Sequence, residues 1–218
     1  MNTLHRGDGT DARDPVAGRE NQSLKRIFDI VASAAFLIAL SPIMALIAAA
    51  MIGEGAVDPK ARGPLFYRQR RVSAGRDFML VKFRTFRPGP DQAGLSEEDL
   101  AWRINELPLT RVGWFLRRCY FDELPQLWNI LKGEMGFVGP RPWPRREYER
   151  RLAQGHHAKR LLKGGVCGPV QAAKGRSVPG TDDMLLAEYS RRSALGVLAL
   201  DLRLIAKTLG VVLRAKGL

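Results

Sequence analysis

Apolar and polar positions divide the chain into segments of different character. Residues Met1 to Gln22 scatter Gly7, Gly9, Pro15 and Gly18 among charges, without apolar periodicity, and read as a flexible tail over 1–22. A polar lead of this length ahead of the first apolar run, with no cleavage site after it, does not fit a secretory signal. From Ile30 to Ile52, 23 consecutive residues carry no formal charge. At ~1.5 Å per residue, a helix of that length covers a ~30 Å hydrocarbon core. It is long for the buried helix of a soluble core. Pro42, preceded by Ser41, falls inside the run, where it removes one backbone hydrogen bond and kinks the helix. The Ser41 hydroxyl can donate to a carbonyl freed there.

Cations flank the run on both sides, with Lys25 and Arg26 before it and Lys60, Arg62, Arg68, Arg70 and Arg71 after it. A crossing helix sets one of these flanks against the positive-inside rule. A helix that enters, bends at Ser41-Pro42 and leaves on the same side satisfies both. The residues alone leave a straight spanning helix with a tolerated proline equally open.

Beyond the run lies a basic region. Leu65 to Arg70 and Phe78 to Arg84 are aromatic-rich runs around Ser73-Ala74-Gly75-Arg76, which predicts a small β-hairpin. Arg87 to Asp99, with Pro88, Gly89, Pro90 and Gly94, reads as a loop. Helices are predicted over Glu97–Asn105, Arg111–Arg118, Asp122–Lys132 and Arg145–Leu162. Leu195 to Arg214 interleaves Asp201, Arg203, Lys207 and Arg214 with Leu, Val and Ile, too many charges for a span. An amphipathic helix lying in an interface fits, and so does one packed on the domain core.

Composition then limits the function classes. The 218 residues are 45% apolar and 26% charged, enough to bury a core and too apolar for global disorder. A net charge of +13 calls for an anionic partner: nucleic acid, a phosphate-rich substrate or an anionic membrane surface. Arg141 to Lys163 alone carries eight Lys or Arg against two Glu, as a solvated basic helix or one facing anionic headgroups. Cys119 and Cys167 form no CxxC pair, so neither a disulfide scaffold nor a four-thiolate zinc site is expected, and a reducing compartment is the natural reading. Three histidines, His5, His156 and His157, are too few and too clustered for a three-histidine metal site.

Candidate chemistry centres on Asp122-Glu123, at the start of a predicted helix. Capping and the helix dipole account for an arbitrary Asp-Glu pair at such a place. Arg117 nearby changes the picture, because it can hold an incoming phosphate beside the carboxylates. An ionised carboxylate among arginines is a plausible nucleophile towards phosphorus, and its acidic neighbour can hold Mg²⁺ together with substrate phosphates. Arg141 between Pro140 and Pro142 has a pinned backbone suited to presenting its fork to a phosphate, or is a rigid turn with a solvated arginine. Lys82 and Arg84 on the hairpin form a further cationic pair.

In order along the chain stand Lys25-Arg26-x-x-Asp29, the apolar run with Ser41-Pro42, Gly63-Pro64-Leu65-Phe66-Tyr67-x-Gln69-x-Arg71-Val72, Lys82-Phe83-Arg84-Thr85, Asp122-Glu123-Leu124-Pro125-Gln126-Leu127 and Val138-Gly139-Pro140-Arg141-Pro142. This pattern resembles the bacterial sugar transferase family, the monotopic polyprenyl-phosphate phosphoglycosyl transferases in their small catalytic-core form, from about Ser23 to Thr208. The resemblance implies an α+β fold, mostly α. A flexible tail (1–22) would precede a re-entrant membrane helix broken at Ser41-Pro42 (23–53), a cytosolic catalytic domain (54–190) and a C-terminal amphipathic helix (191–218). It implies transfer of a sugar-1-phosphate from a UDP-sugar to undecaprenyl phosphate, with UMP released. Asp122 would be the nucleophile, Glu123 the Mg²⁺ ligand, and Arg117 and Arg141 phosphate or nucleotide contacts, with Lys82, Arg84, Pro140 and Pro142 lining the substrate site. The expected setting is the cytoplasmic face of a bacterial inner membrane, with membrane lipids as partners, no nucleic acid, and room for a homodimer.

The chain departs from the family pattern at Gly164-Gly165-Val166-Cys167-Gly168, where Pro-Gly-x-Thr-Gly is usual, at Gly136, where a serine is common, and over Thr181 to Leu200. These changes spare the dyad and fall on the sugar pocket. Two other readings account for less. A membrane-anchored basic binding module has no use for Asp122-Glu123 beside Arg117 and lacks a nucleic-acid-binding motif. An inactive family member that binds polyprenyl phosphate or a partner protein does not explain the intact dyad.

Overall fold

The computed structural model describes residues 15–89, 95–96, 99–100, 103–104, 106–173 and 180–213. The predicted hairpin is present as β1 (Phe66–Ser73) and β2 (Arg76–Phe83), antiparallel with Gln69 opposite Leu80. Ala74 and Gly75 turn between them with φ of 47° and 76°. Positive φ at both central residues matches the right-handed twist of the strands, and glycine at the second carries it without strain. A second, parallel pair was not predicted: β3 (Gly136–Val138) beside β4 (Gly165–Cys167). Strands of three residues are too short to show a period.

The rest is helical. The long α1 (Pro15–Val57) is followed by α2 (Arg111–Cys119), a 3-10 turn (Phe121–Glu123) and α3 (Gln126–Lys132). Then come α4 (Arg145–Ala153), α5 (Ala158–Leu161), α6 (Pro169–Ala172), α7 (Thr181–Arg191) and α8 (Ala194–Leu213). Two expected helices change. The one over Asp122–Lys132 is parted into the 3-10 turn and α3, so the dyad does not open an α-helix. The one over Arg145–Leu162 stops at Ala153 and restarts at Ala158, because Gly155 takes a φ of 87° between them. The one over Glu97–Asn105 falls partly outside the described residues, as does the tail over 1–14; α1 already begins at Pro15, within the segment read as tail.

Helix α1 is long and apolar enough to cross a membrane. The expected break at Ser41-Pro42 does not part it: the helix continues with Pro42 inside, and Ser41 Oγ donates to the Ile38 carbonyl at 2.8 Å. Any bend there is a kink within one helix. One stripe of α1 lies on the protein. Phe28, Ala32, Leu37 and Leu40 pack on a core of Leu127, Ile130, Met135 and Phe137, and Ile47 and Met51 join Phe83 and Leu116 in a second core. Spacings of four between Phe28 and Ala32, three between Leu37 and Leu40, and four between Ile47 and Met51 are helical-face spacings. The opposite face leaves Ile27, Val31, Ile38, Leu46 and Ile52 exposed.

Both ends of α1 are tied to the same folded unit. Near its start, Arg26 donates to the Ile130 and Leu131 carbonyls at 2.7 and 2.6 Å, satisfying the open end of α3, and buried Asp29 accepts from the Phe137 amide at 3.0 Å. Lys25 pairs with Asp201 of α8, which also accepts from Tyr189. Near its end, the Glu54 carboxylate accepts from the Arg111 and Val112 amides and caps α2. Helix α8 buries Val197, Asp201 and Leu204 on one face and exposes Leu195, Leu202 and Leu209 on the other, so it packs on the core and keeps an apolar outer face.

Candidate active site

The turn that carries the dyad is built by what surrounds it. Thr110 caps α2, accepting from the Gly113 amide at 2.8 Å, and Gly113 packs so closely on Thr85 that a Cβ there would sit 2.0 Å from the Thr85 carbonyl oxygen. Tyr120 ends α2 in the left-handed region, at φ 60°, its amide bonding back to α2. The chain leaves this reversal directly into Phe121-Asp122-Glu123. On the far side, Asn129 of α3 locks onto the outer edge of β2. Fully buried, it accepts from the Val81 amide at 3.1 Å and donates to the Met79 carbonyl at 2.7 Å and to Glu134 at 2.6 Å. That clamp sets the dyad turn against Lys82.

Lys82 Nζ lies 2.6 Å from Glu123 Oε1 and 3.8 Å from Asp122 Oδ2. Burial raises both carboxyl pKa values, but the outcomes differ. For Glu123, the charges of Lys82 and Arg141 and hydrogen bonds from Lys82 and Gln126 more than offset burial, and its pKa falls below the ordinary value. For Asp122, burial outweighs Lys82 and the neighbouring Glu123 adds to it, so its pKa rises to about 6. Glu123 is the committed, ionised member, and Asp122 has the looser contact.

A pocket opens beside the dyad, lined among others by Arg71, Lys82, Glu123, Gln126, Arg141 and Gln171. Its rim is the Gly139–Pro142 loop. Arg141 reaches Glu123 at 3.8 Å with its side chain half exposed, while its carbonyl accepts from buried Lys159. Lys159 also stands 3.6 Å above the Trp143 ring and 3.3 Å from Asp182. Pro140 is fully buried, its carbonyl accepting from the Gly165 amide at 3.0 Å, and Pro142 lines the pocket. Gly165 and Gly168, the two glycines that the Gly164–Gly168 stretch keeps from the family pattern, have a steric role here. A Cβ at Gly165 would meet the Gly139 amide nitrogen at 2.1 Å, and one at Gly168 the Gly139 carbonyl at 2.3 Å, so glycine lets β4 close on the arginine loop.

The expected site residues thus part into two groups. Asp122, Glu123, Lys82, Arg141 and Pro142 come together. Arg117 is near enough for Asp122 to act on its charge, but its guanidinium donates to Thr85 and the Ile104 carbonyl, both at 3.2 Å. Arg84 is turned inward, 3% exposed, donating to the carbonyls of Pro64, Phe86 and Ala61 at 2.8, 2.6 and 2.8 Å. It braces the hairpin base and presents no face to the pocket. Sequence reading gave no role to Arg71, Gln126, Asn129 or Gln171. The first three stand within motifs already quoted or directly beside them, and that position was the available signal.

Among the described residues, no three acidic, histidine or cysteine side chains gather as a metal cage. The cation near both dyad carboxylates is Lys82; Asp122 and Glu123 could still supply the one or two carboxylates that Mg²⁺ commonly takes, with substrate phosphates and water completing its shell.

The chain is 35% identical over 156 residues to UDP-glucose:undecaprenyl-phosphate glucose-1-phosphate transferase of Klebsiella pneumoniae, covering 69% of this chain and 31% of that one. It is 30% identical over 202 residues to UDP-N-acetylgalactosamine-undecaprenyl-phosphate N-acetylgalactosaminephosphotransferase of Aeromonas hydrophila, 89% of this chain and 44% of that one. To undecaprenyl-phosphate galactose phosphotransferase of Salmonella typhimurium it is 32% identical over 216 residues, 93% and 43% of the two. The chain therefore spans less than half the length of these relatives. The model of the bacterial sugar transferases matches residues 20–215, from the apolar helix through the dyad to the last helix, and the chain belongs to that family.

Proposed function

We propose that the protein moves a sugar-1-phosphate from a UDP-sugar to undecaprenyl phosphate at a membrane surface. The observation that carries this reading is the dyad itself: two adjacent buried carboxylates that share Lys82 yet have opposite pKa shifts, beside a pocket lined by arginines. Asp122, poorly solvated and less tightly held, is the nucleophile. Its oxygen forms a bond to the β-phosphorus, the bond from that phosphorus to the bridging oxygen breaks, and UMP leaves with the electron pair. An oxygen of polyprenyl phosphate then attacks the same phosphorus and frees the Asp122 carboxylate. Glu123, with Asp122 beside it, would hold Mg²⁺, which supplies neutralising charge on the diphosphate. Lys82 holds Glu123 ionised and opposes the burial of Asp122, and Arg141 offers its fork to a phosphate at the pocket rim.

The membrane setting follows from what α1 and the dyad's neighbours present. Both ends of α1 are tied to one folded unit, so the helix enters and leaves on one side, with its apolar outer face in lipid. Trp114 and Phe115 on α2 and Trp128 on α3, each at least 50% exposed, flank the dyad turn with rings suited to the headgroup region. The catalytic unit lies on the cytoplasmic face, where UDP-sugars are made.

The test is UMP release by purified protein in detergent with Mg²⁺, undecaprenyl phosphate and a panel of UDP-sugars, alongside Asp122→Asn. Release with one or two sugars, absent in the variant while membrane association persists, is the expected result. A variant with near-normal turnover would remove Asp122 as the nucleophile.

A further inference from the structure

Arg71 is the pocket cation that the dyad does not use. It lies on β1, two residues beyond Gln69 and on the same strand face. Its Nε and Nη2 donate to Gln69 Oε1 at 2.9 and 2.6 Å, and its Nη1 donates to the Pro142 carbonyl at 3.3 Å. Every one of these partners is neutral. Among the described residues no carboxylate comes within 4.0 Å of this guanidinium, whereas Arg141, at the same rim, repels it. Burial and Arg141 together lower its pKa to about 10. A largely buried cation on which the Glu123 carboxylate acts only from beyond ion-pair distance is poorly compensated.

The hydrogen bonds show what is held in reserve. A guanidinium has five N–H groups, and three of Arg71's are engaged. One N–H remains on each terminal nitrogen, an arrangement that suits paired phosphate oxygens. Gln69 is 4% exposed and accepts two of the engaged bonds, so it fixes the plane of the fork.

Resting on the phosphoryl-transfer reading above, we infer that Arg71 is an anion-binding residue of this pocket, holding a substrate phosphate, with Gln69 as its positioning residue. The phosphate has two sources, the nucleoside diphosphate donor and the lipid phosphate acceptor. Which of them Arg71 grips is an experimental matter.

The experiment is calorimetric titration of the full chain in detergent with UDP and, separately, with a short-chain polyprenyl phosphate. Wild type is compared with Arg71→Met, Arg71→Lys and Gln69→Leu. Arg71→Met is expected to weaken one of the two ligands at least tenfold, and that ligand identifies the source. Arg71→Lys should recover part of the loss, keeping the charge without the fork, and Gln69→Leu should weaken the same ligand less than Arg71→Met. The unliganded Tm of Arg71→Met should equal or exceed that of wild type, since a purely structural arginine would lower it. The inference is overturned if Arg71→Met binds both ligands within twofold of wild type, or if wild type binds neither. A wild type that shows Arg71-dependent binding yet releases no UMP from any UDP-sugar would instead refute the transferase reading.

Discussion

Lys82 donates to Glu123 at 2.6 Å while its ammonium lies 3.8 Å from Asp122, so one cation faces two carboxylates whose pKa values shift in opposite directions. Asp122 can attack phosphorus only as the carboxylate. Burial raises its pKa to about 6, so the reactive fraction shrinks as pH falls through that value and saturates above it. Single-turnover UMP release should therefore be flat above about pH 7 and lose about tenfold per unit well below about pH 6. A profile still flat at pH 5 would mean that the reacting group is not this carboxyl.

Removing Lys82 should move that limb. Lys82 is the strongest charge opposing the burial of Asp122, so Lys82→Met raises the Asp122 pKa further and shifts the acid limb to higher pH. The plateau rate should also fall, by roughly 100-fold, because the pocket loses a cation aimed at developing charge. Lys82→Arg should keep the limb near its wild-type position. Rate-against-pH curves for the three proteins decide it.

Asn129 is the structural counterpart of the dyad. Replacing it with leucine strands the Val81 amide and the Met79 carbonyl in the interior and releases α3 from β2. Such a loss should cost about 2–4 kcal/mol, a fall in Tm of roughly 5–10 °C in a protein of this size. UMP release should drop with it, since the dyad turn sits between that clamp and α2. A variant of wild-type Tm would show that the clamp contributes nothing to stability.

Much of this architecture was legible because local signals carried it. Aromatic-rich runs around the Gly75 turn specified the hairpin, and the helix expected over Arg111–Arg118 is present as α2. The dyad was legible as chemistry but not as conformation. Asp-Glu before Pro125 reads as a helix start, yet the left-handed Tyr120 delivers those residues in a 3-10 turn. Side-chain direction was less accessible still. Lys82 lies in β2 and Arg84 just beyond its end, at the two-residue spacing that would put both on one face, and only the carbonyls of Ala61, Pro64 and Phe86 turn Arg84 inward. Arg71 looked like one basic residue among several. Its significance comes from Gln69 and from Pro142, 71 positions away.

The glycines retained within the Gly164–Gly168 stretch make a sharp steric test. Gly165→Ala places a methyl 2.1 Å from the Gly139 nitrogen and 2.6 Å from the Val138 carbonyl carbon, both backbone atoms that cannot rotate away. Strands β3 and β4 must separate, and the loop bearing Arg141 moves with them. UMP release should fall at least about tenfold, since misplacement of about 1 Å at a reacting site can cost about 100-fold. Gly89→Ala, with nothing within 4 Å of the added carbon, should match wild type. Equal activity in the two variants would mean that the arginine loop tolerates displacement.

The course of α1 can be settled from outside the protein. Arg26 is bonded to the end of α3 and Glu54 to the start of α2, and these two helices flank one dyad turn. A straight crossing would put the two contacts on opposite sides of a bilayer and would require one of them to break. Single cysteines at Ser23 and Lys60, in a chain with half-buried Cys119 replaced by serine, report the sidedness directly; Cys167 is buried. In sealed inverted vesicles an impermeant maleimide should label both sites, and in intact cells neither. Labelling from opposite sides would mean that α1 crosses and that the folded unit cannot hold both ends at once. Glu54→Gln adds an energetic check: the neutral amide offers the Arg111 and Val112 amides a weaker acceptor, lowering Tm by the few degrees expected for loss of about 1 kcal/mol of capping, with the labelling pattern unchanged.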